Sequence, residues 1–129
     1  MAPPPKTPTD AEWPILEVLW ARGPSTVREV HDALESAEGR AYTTTLKLMQ
    51  IMHDKGLLDR DASQRSHVYA ARLTKEGAQR SMVSALAAKA FDGSASALVL
   101  RALGTEKTSK KELSAIRAML DELEKGGRS

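Results

Sequence analysis

The sequence predicts a mainly α-helical fold with one small β-hairpin, and three observations support that prediction. Apolar residues recur at helical spacing in several separate segments. Capping-box patterns, in which Ser or Thr is followed three residues later by Glu, mark helix starts at Thr9, Thr26 and Ser109. Two short extended runs then follow the third helix. Three helices followed by a hairpin is the element order of a winged helix-turn-helix.

The first three helices are expected at about residues 10–21, 26–36 and 43–55. In the first of them, Trp13 and Trp20 lie on the apolar face, so we expect both rings in the core. In the third, the apolar spacing predicts a buried stripe and leaves a polar face exposed. The buried stripe is Thr45, Leu48, Met49 and Met52, and the residues off it are Thr43, Thr44, Lys47, Gln50 and Ile51.

The predicted hairpin consists of the runs 57–61 and 67–73, joined by the polar segment 62–66. A fourth helix is expected at about 75–91, since Thr74 can cap it and Asp92-Gly93-Ser94 ends it. A short apolar segment from 97 to 103 and a last amphipathic helix after Ser109 complete the chain.

This order divides the chain into a disordered lead-in (1–8), a winged-helix domain (9–73), a helical dimerisation domain (74–125) and a frayed tail (126–129). Three helices in some 55 residues bury too little surface to be stable alone. A symmetric homodimer would cover their apolar faces. The residues expected at that interface are Met82, Leu86, Phe91, Leu98, Leu100, Leu103, Leu113, Ile116, Leu120 and Leu123.

Composition excludes several function classes. The chain has no cysteine and only three histidines, which do not follow any metal-binding spacing, so we expect no metal and no cofactor. No nucleophile, phosphate-loop or glycine-fingerprint motif occurs, so the sequence predicts no enzyme. No apolar run approaches the roughly 20 residues of a membrane span, and the N-terminus lacks a secretory signal. We therefore expect a cytoplasmic protein.

The charge distribution points to one local region. Residues 1–73 hold nine Lys or Arg against ten Asp or Glu, whereas the stretch 40–72 holds six against three. In a helix-turn-helix, the second helix presents its polar face to the major groove of DNA. Thr43, Thr44 and Lys47 are suited to phosphate or base contacts and Gln50 to adenine. At the hairpin tip, Arg65, Ser66 and His67 could reach the DNA backbone or minor groove.

The same residues also have simpler explanations that do not involve DNA. Threonines at a helix start are most often caps, and basic residues in a hairpin turn can simply keep an edge strand soluble. The acidic residues of the first two predicted helices also allow a different function, a protein–protein adaptor that uses its winged helix without specific DNA binding.

Four segments together resemble the penicillinase-repressor family of bacterial regulators, which includes BlaI, MecI and CopY. They are TDAEWPILEVLW (9–20), STVREVHDAL (25–34), YTTTLKLMQIMHDKGLL (42–58) and RSHVYAARLTKE (65–76). The likeness extends over about residues 9–125. It implies an N-terminal winged helix on double-stranded operator DNA and a C-terminal homodimerisation domain.

The resemblance also implies a palindromic operator, often with TACA/TGTA elements, that controls β-lactamase, penicillin-binding-protein or copper-transport genes. The matching recognition positions are Thr43, Thr44, Leu46 and Lys47, with the wing at Arg65 to Val68. Leu46 replaces the basic residue that some members have, so the operator sequence is left open. The full set expected at the DNA is Thr26, Arg40, Thr43, Thr44, Leu46, Lys47, Gln50, Arg65, Ser66 and His67.

Members of this family are induced through sequence features that are absent from this chain. Antibiotic-responsive members are cleaved at an Asn-Phe bond through a membrane sensor-protease pathway, but this sequence contains no asparagine. The corresponding region is 96–103. Copper-responsive members use a Cys-x-Cys pair, and the absence of cysteine excludes that mechanism. Release through loss of the dimer is still expected, with the signal left open.

Overall fold

The computed structural model describes residues 7–126, apart from the side chains of residues 35–38. Within that range the chain forms helices and short strands in the predicted order, with one additional strand. The elements are α1 (Trp13–Arg22), β1 (Ser25–Thr26), α2 (Val27–Glu38), α3 (Tyr42–Asp54), β2 (Leu58–Asp61), β3 (Val68–Ala71), α4 (Lys75–Ala90), α5 (Ala95–Thr105) and α6 (Lys110–Gly126).

The start of α1 shows how a capping box and a proline combine. Thr9 N–H donates to Glu12 Oε1 at 2.9 Å, and Glu12 N–H donates to Thr9 Oγ1 at 3.3 Å. This box closes a turn over residues 10–12, and the α-helix itself begins only at Trp13, with Pro14 in its first turn. The helix therefore starts three residues later than predicted, because a helix tolerates proline only in its first turn.

Apolar side chains from the first three helices and the hairpin form one core. Its buried members are Ile15, Leu16, Leu19, Val27, Val30, Leu34, Met49, Met52, Leu57, Leu58 and Tyr69. The two tryptophans are half-buried against this core, with ring centroids 5.2 Å apart in an edge-to-face arrangement. Trp20 Nε1–H also donates to the carbonyl oxygen of Leu73 at 3.0 Å, which joins α1 to the end of the hairpin.

A three-stranded antiparallel sheet replaces the expected two-stranded hairpin. Its order is β1-β3-β2, with Thr26 opposite Val68 and Asp61 opposite Val68 on the other side. The strand β1 is only two residues long, too short to show an alternating apolar pattern in sequence. It places the N-terminus of α2 directly beside the hairpin.

A buried ion pair joins the beginning of α1 to the end of α3. Lys55 Nζ lies 2.7 and 2.9 Å from the two carboxylate oxygens of Glu12, and the Glu12 side chain is only 3% exposed. Gly56, with φ of +85°, then turns the chain into β2. The bidentate pair fixes the third helix against the first.

Local caps define the C-terminal helices. Gly77 N–H donates to Thr74 Oγ1, and the predicted capping box of Ser109 and Glu112 forms with distances of 2.9 and 3.1 Å. The helix α5 is capped by Ser94, whose Oγ accepts from Ala97 N–H at 3.0 Å. The region 97–103 therefore belongs to a helix that begins two residues earlier.

The chain divides into two compact units, one ending at Leu86 and the other beginning at Ala87. The first unit thus contains most of α4 as well as the winged-helix region. Of the predicted lead-in, residues 1–6 lie outside the described residues, whereas Pro8 is buried and Thr7 Oγ1 lies 3.4 Å from Ser81 Oγ. Of the predicted tail, residues 127–129 lie outside the described residues, and Gly126 ends α6.

Candidate nucleic-acid interface

The helix α3 has one buried and one exposed face, as the sequence spacing predicts. Thr45, Met49 and Met52 are buried, and Leu48 is half-buried against the core. The opposite face carries the polar residues of the prediction, and all of them are exposed. They are Thr43, Thr44, Lys47 and Gln50, accompanied by Ile51 at 38% exposure.

A groove of about 330 Å³ lies between this helix and the hairpin. One wall is formed by the start of α2, the floor by one side of α3, and the other wall by the hairpin tip. Six residues predicted from the sequence line it together: Thr26, Leu46, Gln50, Arg65, Ser66 and His67. The fold therefore brings the start of α2, the recognition-helix candidates and the wing candidates to one surface.

The remaining α3 candidates lie on the other side of the same helix. Thr43, Thr44 and Lys47 line a second depression of about 280 Å³, together with Leu48 and Ile51. Its walls are mainly apolar, so the two threonine methyl groups and Ile51 offer contacts suited to a thymine methyl group. The exposed strip of α3 thus has a polar groove on one side and an apolar depression on the other.

Arg40 lies apart from both depressions. It is half-buried in the segment before α3, and its Nη1 lies 3.5 Å from the carbonyl oxygen of Ala11. The side chain therefore contacts the turn that precedes α1. Arg40 belongs to the basic stretch 40–72, but it is not among the residues that line the groove with Arg65.

Thr26 stabilises the start of α2. Its N–H donates to Glu29 Oε1 at 2.9 Å, and its Oγ1 accepts from Glu29 N–H at 3.1 Å. The pKa of Glu29 is held below its ordinary value. The main cause is the backbone hydrogen bond from Thr26, and the Thr26 hydroxyl and Arg22 make smaller contributions.

The hairpin tip has a hydrogen-bonded acidic side chain at its base and exposed basic side chains beyond it. Ser63 N–H donates to Asp61 Oδ1 at 2.9 Å, and hydrogen bonding by Ser63 holds the pKa of Asp61 below its ordinary value. Arg65, Ser66 and His67 are all exposed. A loop that is held at its base and basic at its tip is suited to contact with a phosphate backbone.

Four residues that line the groove were not predicted from the sequence: Val27, Arg28, Tyr42 and Tyr69. The guanidinium carbon of Arg28 lies 4.3 Å from the centroid of the Tyr42 ring. A signal was present, since Arg28 is the one Lys or Arg in the acid-rich helix α2. It lies outside the basic stretch 40–72, and the pairing with Tyr42 depends on the packing of α2 against α3.

Within residues 7–126, the structure gives little support for a metal site or a membrane-spanning helix. Within that range, no group of three or more His, Asp or Glu side chains is arranged to hold a metal ion. His31 is buried, with Nδ1 3.0 Å from Thr45 Oγ1, whereas His53 lies 3.7 Å from Asp54. No single described helix is both long and apolar enough to cross a membrane; only α4 and α5, taken as a bent pair, reach that length.

The residues predicted for dimerisation lie on α4 to α6 and in the link between α4 and α5. Neither α5 nor α6 has a buried residue. Half-buried members of the predicted set are Met82, Phe91, Leu98, Leu103 and Ile116, and exposed members are Leu86, Leu100, Leu113, Leu120 and Leu123. Three further apolar residues on these helices are exposed: Val83, Val99 and Met119.

Comparisons with known proteins agree with this architecture. The sequence model of a family described as penicillinase repressor matches residues 8–122. The transcriptional regulator BlaI of Mycobacterium tuberculosis is 35% identical over 119 residues, which is 91% of this chain and 85% of the relative. The penicillinase repressor of Staphylococcus aureus is 19% identical over 115 residues, which is 89% of this chain and 91% of the relative.

Among solved structures, the solution structure of the DNA-binding domain of the repressor BlaI is similar to part of this fold. The match covers 60% of this chain and 93% of that domain, with a TM-score of 0.51 and 22% identity. This similarity confirms the winged-helix fold predicted from the element order.

Proposed function

Because the chain belongs to the penicillinase repressor family and is a DNA-binding transcriptional repressor rather than an enzyme, we propose that it works as a homodimer on a palindromic operator. The observation that supports DNA binding most directly is the groove between α3 and the hairpin. It collects candidates from three separate sequence segments on one surface, next to the exposed polar face of α3.

In this proposal α3 enters the major groove of DNA. Its first turn presents Thr43 and Thr44, and one turn later Lys47 offers an ammonium group that can bind a phosphate or a guanine. Gln50 and Leu46 face the groove on the hairpin side, where Gln50 can pair with adenine and Leu46 can contact a thymine methyl group. The hairpin with Arg65 then follows the adjacent backbone.

The homodimer is supported by the apolar surface of the C-terminal helices. The helix α6 has 17 residues, none buried, and Leu113, Ile116, Leu120 and Leu123 recur along it at helical spacing. In a monomer these side chains stay largely in water and contribute little hydrophobic stabilisation. A second copy of the same chain would cover the row by two-fold symmetry, and that symmetry requires two half-sites in the DNA.

Release follows from the same arrangement. Two linked binding units gain affinity through effective concentration, so separation of the protomers lowers occupancy without any change at the DNA surface. We propose loss of the dimer as the inducing step, with cleavage in the C-terminal region through a sensor-protease pathway as one route. The region 96–103 that corresponds to the family's cleavage site lies within α5. The genes controlled would be of the β-lactam-resistance type or related.

A gel-shift titration across a salt series tests the site. The full-length chain, Lys47→Ala and Arg65→Ala are compared on a fragment of the protein's own promoter and on random duplex. Each substitution should weaken binding about tenfold without unfolding the protein, while Arg80→Ala, at an exposed site on α4, should not. Unchanged affinity for both site variants would refute the assignment. Equal binding of promoter and random DNA would instead favour the adaptor function.

A further inference from the structure

Arg28 lies on the wall of the groove that faces the hairpin tip. It belongs to the first turn of α2, its side chain is exposed, and it lines the same groove as Gln50 and Arg65. A cationic side chain from α2 therefore faces a basic hairpin across a channel whose floor is the recognition helix.

The guanidinium of Arg28 is held in place without being neutralised. It stacks on the Tyr42 ring at 4.3 Å, and within the described residues it makes no ion pair. The neighbouring carboxylate of Glu29 accepts from Thr26 N–H and lies 3.8 Å from Arg22 instead. Stacking occupies the flat face of a guanidinium and leaves the N–H groups at its edge to donate.

The ring beneath Arg28 is itself anchored in the core. Tyr42 packs edge-to-face against His31, with centroids 5.5 Å apart, and His31 Nδ1 lies 3.0 Å from Thr45 Oγ1. Both His31 and Thr45 are buried. A chain of contacts thus runs from the interior to an exposed guanidinium, so little side-chain freedom is left to lose when that group binds a ligand.

From this geometry we infer that Arg28 binds a DNA phosphate of the strand that passes between α3 and the hairpin, and that Tyr42 is its positioning residue. A phosphate fits better than a base, because the helix before the recognition helix crosses the DNA backbone and the guanidinium fork matches phosphate oxygens. The inference rests on the proposed function and adds a residue to that same site.

The test uses the full-length chain with fluorescence anisotropy on promoter and random duplexes at several salt concentrations. Arg28→Ala should weaken binding to both duplexes by about tenfold and reduce the slope of log K against log salt by about 0.9 per bound protomer. Arg28→Lys should keep the slope and lose part of the affinity, since a lysine supplies the charge without the fork. The control Arg80→Ala should change neither quantity.

A double-mutant cycle tests the role of Tyr42. Tyr42→Phe keeps the ring and should bind like the parent chain, whereas Tyr42→Leu should bind less tightly. In the Arg28→Ala background Tyr42→Leu should cause no further loss, because the positioned group is already absent. An equal loss in both backgrounds would show that Tyr42 does not act through Arg28. Thermal unfolding of each variant separates these effects from a loss of folded protein.

Two outcomes would overturn the inference while leaving the proposed function intact. In the first, Arg28→Ala keeps its affinity and salt slope although Lys47→Ala and Arg65→Ala lose theirs. In the second, Arg28→Ala loses affinity only for the promoter, which would make Arg28 a base contact. If the parent chain itself does not distinguish promoter from random DNA, the proposed function fails instead.

Discussion

Replacement of two leucines on α6 tests the dimer proposal through a magnitude that follows from their exposure. Leu120 is 54% exposed and Leu123 is 61% exposed. Full burial of a leucine is worth about 1.5–3 kcal/mol, so covering the exposed part is worth about 1 kcal/mol for each side chain once the retained Cβ is allowed for. The double variant Leu120→Ala/Leu123→Ala removes four such side chains from a dimer, or about 4 kcal/mol.

This loss corresponds to a dissociation constant raised by a factor of about a thousand, since 1.4 kcal/mol is a factor of ten. Analytical ultracentrifugation over a wide concentration range measures it, with Glu122→Ala as the matched control at an exposed polar position of the same helix. Alanine is the strongest helix former, so the helix itself should persist. A dissociation constant within threefold of the parent value would show that this face is not the interface.

Two further predictions concern the winged-helix region. Glu12→Gln should lower the free energy of unfolding by about 3 kcal/mol in urea denaturation, because it leaves the largely buried ammonium of Lys55 without its counter-charge; a loss below about 1 kcal/mol would contradict that role. For Glu29, NMR titration should give a pKa below 4.5, and Thr26→Ala, which removes the hydroxyl but keeps the backbone N–H, should raise it only part of the way back. Since folding lowers this pKa, its stabilising contribution is complete above pH 4.5 and is lost as pH falls through the folded value; an unshifted pKa would refute the capping box in solution.

Features set by neighbouring residues could be predicted from the sequence. The three capping boxes form as predicted, because each depends on two side chains three residues apart. The exposed face of α3 was predicted because the helical period alone decides which residues oppose Met49 and Met52. These are local rules, and the tertiary structure does not alter them here.

Features set by packing between distant segments could not be predicted in the same way. The two residues of β1 become a strand only because Val68 and Tyr69 lie beside them. Arg40 belongs to a basic stretch in sequence, but it contacts Ala11 because α1 and the segment before α3 meet there. The stacking of Arg28 on Tyr42 likewise requires α2 and α3 to be packed together.

The most direct test of the account compares two duplexes of equal length, one with a complete palindrome from the protein's own promoter and one with a single half-site. We predict that the full-length chain binds the palindrome far more tightly and saturates it at two chains per duplex, because each winged helix occupies one half-site. Equal affinity for the two duplexes, with one chain bound to each, would contradict the homodimeric repressor.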